Sequence, residues 1–105
     1  MIAKRAVIQW VPKELGGRRT GRPLGPGYCA PAKFLAHADS WEVECFDLAV
    51  DKIKCLGGPD RWLAEVHFRI EDGPHEWLVD RAEFELYEGK RCVARGRIEE
   101  EKTAM

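Results

Sequence analysis

Nucleophilic or metal-assisted chemistry in this chain would have to draw on three imidazoles, His37, His67 and His75, and four thiols, Cys29, Cys45, Cys55 and Cys92. No local signature joins a thiol to an imidazole, so coincidence explains them better than a Cys-His dyad. The thiols lie too far apart in sequence for the close Cys-x-x-Cys pair of zinc and redox sites. They read as small core residues or free thiols, with a disulfide left open. His75-Glu76 and Glu65-x-His67 are isolated pairs, fewer ligands than a metal site requires. Gly16-Gly17-Arg18 has no helix predicted after it and does not make a phosphate loop. The expectation is a protein without catalysis, cofactor or metal.

Guanidinium and ammonium groups remain, and they are unevenly spread. Residues 1–35 hold Lys4, Arg5, Lys13, Arg18, Arg19, Arg22 and Lys33 against Glu14 alone, whereas residues 36–105 hold ten cations against seventeen carboxylates. The early part of the chain could therefore face an anion, provided the fold does not bring acidic residues alongside. Four tryptophans could stack on unpaired bases. Trp10, Trp41 and Trp62 occupy inward phases of their strands, however, which points to core packing, while Trp77 follows a turn and is expected to be partly exposed.

The elements that would position these groups are strands. Ala6, Ile8 and Trp10 alternate with Val7 and Gln9; Trp41, Val43 and Cys45 with Glu42 and Glu44; Trp62, Ala64, Val66, Phe68 and Ile70 with Leu63, Glu65, His67 and Arg69. Ala82, Phe84 and Leu86 continue the pattern. A last run places Cys92, Ala94, Gly96 and Ile98 inward and Arg91, Val93, Arg95 and Arg97 outward. Period-two alternation with one polar wall suits antiparallel strands. Asp47 to Leu56 fits a helical face poorly and reads as another strand with a turn.

Gly57-Gly58-Pro59-Asp60 and Asp72-Gly73-Pro74 mark turns, and Glu88-Gly89-Lys90 a hairpin tip. Residues 12–27 hold five glycines and three prolines and read as a long surface loop, a place where function is often found. Short strands with Gly/Pro turns predict an all-β barrel or sandwich, closure having the merit of removing exposed edges. With 45% apolar residues, one core is expected: a single domain over residues 1–98 and a frayed polar tail over 99–105. No signal-peptide or membrane-spanning stretch is visible, so a cytoplasmic protein is expected.

Three motifs in order carry a resemblance: Lys13-Glu14-Leu15-Gly16-Gly17-Arg18-Arg19-Thr20, then Gly27-Tyr28 with Pro31 and Phe34, then Phe84-Glu85-Leu86-Tyr87-Glu88-Gly89-Lys90-Arg91-Cys92-Val93-Ala94-Arg95-Gly96. Together they resemble the C-terminal β-barrel domain of elongation factor Tu and related translational GTPases, over roughly residues 3–35 and 60–98. The chain departs from the family pattern at Ala32, at the extra residue of Cys29-Ala30 and at Lys90. The resemblance implies a closed antiparallel Greek-key-type barrel of about six strands, present without its GTPase domain. Residue by residue, it implies that Arg18 and Arg19 of the loop and Glu88 and Gly89 of the hairpin tip stand where the family's barrel approaches tRNA. The expected function is an RNA-binding module for tRNA-like stems that also uses Arg22, Lys90 and Arg91, with Arg95 and Arg97 widening the basic face. The alternative is a protein-interaction barrel whose partner is linked to translation. The RNA-binding expectation requires the early loop and the final hairpin to meet.

Overall fold

The computed structural model describes residues 2–41, 43 and 45–100. Six antiparallel strands, β1 (Lys4–Trp10), β2 (Tyr28–Phe34), β3 (Phe46–Cys55), β4 (Arg61–Phe68), β5 (Glu83–Glu88) and β6 (Arg91–Ile98), close into a barrel in the order β1-β4-β3-β2-β5-β6. β2, β3 and β4 are antiparallel neighbours joined in succession by residues 35–45 and 56–60, and β5 returns to lie beside β2, which is the Greek-key arrangement. The alternation read from the sequence fills the interior: Ala6, Ile8 and Trp10 of β1, Trp62, Ala64, Val66 and Phe68 of β4, Phe84 and Leu86 of β5, and Ala94 and Ile98 of β6 are all buried. β3 runs as one strand of ten residues. The turn expected within it is instead a bulge, where the register with β4 shifts between Lys52 and Lys54.

Strand order dictates where the long connections go. β1 and β2 stand three strands apart around a six-membered ring, so the segment joining them must cross one open end of the barrel, here called the mouth. β4 and β5 are likewise opposite, and residues 69–82 cross the other end, the base. The mouth also receives the β5–β6 hairpin, whose two-residue loop opens on Gly89 at φ +64°, a conformation that L side chains rarely adopt.

Several expectations fail for identifiable reasons. Trp41 and Val43 form no strand. They follow a 3-10 turn, Leu35–Ser40, in which Trp41 N donates to Ala38 O at 3.1 Å. Trp41 is half-buried against the Tyr87 ring, with centroids 5.2 Å apart, and Val43 is 85% exposed. Glu42 and Glu44 lie outside the described residues. Ile70 falls beyond the end of β4, where Gly73 N closes a turn onto Ile70 O, and is half exposed. Val93 was expected outside yet is fully buried: β5 pairs Leu86 with Ala94 and Tyr87 with Cys92, so Val93 is the extra residue of a β-bulge and its side chain is free to turn inward.

The thiols are not core residues. Cys29, Cys45 and Cys55 are exposed, and Cys92 is half-buried. All four are free, and burial pushes the Cys92 thiol above its ordinary pKa. At the start of the expected tail, Glu99 N donates to Arg5 O at 2.8 Å and Glu100 pairs with Arg81 at 2.9 Å; residues 101–105 lie outside the described residues. No described helix is long and apolar enough to cross a membrane.

Candidate anion-binding groove at the barrel mouth

The crossing loop starts with a 3-10 turn, Lys13–Leu15, and folds back so that Gly17 N donates to Pro12 O at 3.0 Å. From there Arg18, Arg19 and Thr20 run beside the hairpin tip. These three residues and Glu88, Lys90 and Arg91 line one groove of about 690 Å³. Segments about 70 positions apart in sequence are joined by two polar contacts. Arg18 Nε donates to Glu88 Oε2 at 2.7 Å, and Arg91 Nη1 donates to Gly17 O at 3.0 Å.

Arg18 is held more tightly than its neighbours. Its Nη1 also donates to Gly21 O at 2.8 Å, and its guanidinium lies over the Tyr28 ring at 5.3 Å. Tyr28 OH in turn donates to Glu88 Oε2 at 2.6 Å, so one carboxylate oxygen gathers two donors. Arg18 is thereby a strut of the groove. Arg19 and Lys90 make no ion pair among the described residues, and both are exposed. The groove thus holds four cations against one carboxylate, a surplus suited to an anion.

Arg22 is not part of this groove. It reaches Asp60 on the β3–β4 turn at 3.4 Å and, with Arg18 and Tyr28, lines a neighbouring depression of about 420 Å³. Gly89 contributes the turn that places Glu88 and Lys90. Arg95 and Arg97 also lie elsewhere: they border a groove of about 500 Å³ on the outer wall with Arg61, Glu83 and Glu85, and Arg95 approaches Glu85 at 3.8 Å. Tyr28 is the residue that sequence reasoning noted as part of a motif without seeing its role as a clamp. A polar-tipped aromatic at the start of a strand, beside a glycine loop, was the available signal.

Tyr28 carries a measurable consequence. Burial first, and then the Glu88 hydrogen bond, hold its phenol above the ordinary value of 10.0. The unfolded chain therefore ionises Tyr28 at lower pH than the folded one. Its contribution to stability is fully present below about pH 10 and is lost as pH climbs towards the folded value. Urea unfolding at about pH 9 and pH 11 is expected to show a steeper loss in the wild type than in Tyr28→Phe. Equal losses would refute the clamp.

Comparison with family models, with characterised proteins and with solved structures finds no match to this chain. What fold and geometry define is a class: a closed six-stranded antiparallel barrel with a cationic mouth.

Proposed function

We propose that this chain is a non-catalytic binding barrel, akin to the C-terminal barrel of translational GTPases such as elongation factor Tu, that grips structured RNA by its phosphates. One observation carries the reading: the early loop and the final hairpin form a single groove with four cations and one carboxylate. Arg19, Lys90 and Arg91 make the phosphate contacts, and Arg18 and Glu88 hold the loop against the tip. Guanidinium and ammonium groups read phosphate and helical shape with little regard to base sequence.

The test is a tRNA titration at two salt concentrations. Three phosphate contacts on a duplex stem give a log-log slope of about −2.7, so a fourfold rise in salt is expected to weaken binding about 40-fold. Arg19→Ala should flatten that slope by about one. Absence of any interaction at low salt removes the proposal.

A second reading, a protein partner at the same mouth, is favoured by Leu15 and Leu24, which stand 75% and 91% exposed in the crossing loop. Phosphate contact gives these leucines no role, whereas an apolar anchor ringed by cations suits an acidic protein surface. Retention of a captured partner after nuclease treatment separates the two readings.

A further inference from the structure

The barrel wall is continuous between β2 and β3 only as far as the pair Tyr28↔Val50. β3 continues for five more residues, 51–55, held on one side by β4 through pairs from Asp51↔Glu65 to Cys55↔Trp62. In the β2 register the residue opposite Lys52 would be Pro26, which has no N–H to offer. Gly27, at φ +81°, turns the chain away. One edge of β3 is left bare.

The register tells which groups face that edge. Arg69 N donates to Asp47 O at 3.0 Å, so Asp47, Ala49 and Asp51 turn their backbone groups to β4, and Leu48, Val50 and Lys52 to the β2 side. Beyond the bulge, Leu56 N donates to Arg61 O at 2.7 Å. Leu56 and Lys54 therefore face β4, and Cys55 faces the open side. Among the described residues neither Lys52 nor Cys55 has a backbone partner there, and residues 51–55 are all exposed.

Unpaired N–H and C=O groups on an exposed edge are a template for an added strand. We propose that this edge accepts an extended acidic peptide segment, which lies beside β3 as a seventh strand. The lysines select this occupant. Lys52 lies on the inner face, over the Trp62 ring at 5.4 Å. Lys54, one bulge later, pairs with Leu63 on the outer phase, so each face of the edge presents one ammonium group. Ile53, between them, is 46% exposed and offers an apolar contact.

A second copy of the chain is a poorer occupant. Antiparallel self-pairing centred on Ile53 sets Lys52 of one copy diagonally across the inner face from Lys52 of the other, and Lys54 from Lys54 across the outer face, and long like-charged side chains at that spacing repel. A basic strand meets the same repulsion, whereas glutamates on both faces of an incoming strand neutralise both lysines. The edge is separate from the cationic groove at the hairpin tip, so it stands or falls independently of RNA binding.

The probe is a blocked seven-residue peptide, Val-Glu-Glu-Val-Glu-Glu-Val, whose paired glutamates fall on both faces of an extended strand, with the same peptide carrying Lys in place of Glu as control, added to the 15N-labelled chain. The Glu-Val peptide is expected to shift the amide signals of residues 52–55 and to slow hydrogen exchange at Lys52 and Cys55 by about tenfold or more at saturation; the Lys-Val peptide is expected to do neither. Lys52→Glu combined with Lys54→Glu should abolish the effect. Lys52→Pro should do so as well, because it removes an edge donor that no barrel hydrogen bond uses. If the proline variant does not fold, the charge-reversal variant alone decides. Shifts confined to Arg18, Arg19, Lys90 and Arg91, no protection at millimolar peptide, or self-association of the chain through this edge would each overturn the proposal.

Discussion

Gly96→Ala is expected to lower the unfolding free energy by about 1–3 kcal/mol, the range for overpacking a close-packed core. Gly96 sits in β6 between Ile8 of β1 and Phe84 of β5. A Cβ built on it would overlap three atoms of the Phe84 ring. That ring has no room to swing away, being 1% exposed and stacked on Phe34 with centroids 5.0 Å apart. For a domain of this size the loss corresponds to a fall in Tm of about 5–20 °C by circular dichroism. A double-mutant cycle identifies the cause. If the Phe84 ring is the obstacle, Phe84→Leu and Gly96→Ala combined should cost less than the sum of the two single changes by about 1 kcal/mol. Strict additivity would show that the strain is relieved elsewhere.

The same pair shows what alternation could reveal and what it could not. A period of two placed Phe84 and Gly96 on the inner wall without reference to their partners, because side-chain direction along a strand is a local property. The partnership of one large and one absent side chain belongs to the register, which is set by strands far apart in sequence. Val93 was misplaced for a related reason: a bulge adds one residue and resets the phase, and Cys92-Val93-Ala94 carries no local mark of it. Trp41 and Val43 mimicked a strand because two large apolar residues flanked a glutamate over too short a run to distinguish a turn from a ladder.

The groove was legible in its parts but not in its pairing. Arg18, Arg19, Glu88 and Lys90 could be named from the glycine-rich loop and the hairpin tip, since both are local signals. That Glu88 would bind Arg18 rather than leave it free, and that Arg22 would turn aside to Asp60, depends on how the loop crosses the mouth. Arg95 and Arg97 were grouped with the tip by nearness in sequence. Outward residues of β6 follow the strand down the wall, so they join Arg61 across β1 instead of Arg19 across the mouth.

The loop's path rests on a second glycine, and this leads to the other large effect. Gly17→Ala is expected to cost about 1–3 kcal/mol and, unlike Gly96→Ala, to dismantle the groove. A Cβ at Gly17 would overlap the Val11 carbonyl and crowd Pro12 O, and these are backbone atoms that cannot rotate away. The turn closed by Gly17 N and Pro12 O must then open, carrying with it the Gly17 carbonyl that receives Arg91 and the Arg18 side chain that meets Glu88. Gly16→Ala is the control. Its φ of +92° makes alanine strained by about 1–2 kcal/mol, yet a Cβ there meets nothing within 4 Å, so the loop keeps its path. Matched stability losses with unmatched RNA binding are therefore expected. Gly17→Ala should flatten the salt dependence as removal of Arg19 does, though it removes no charge, and Gly16→Ala should leave the slope unchanged. Equal slopes in the two variants would mean that the cations act as a diffuse cloud and that the geometry of the mouth contributes nothing to binding.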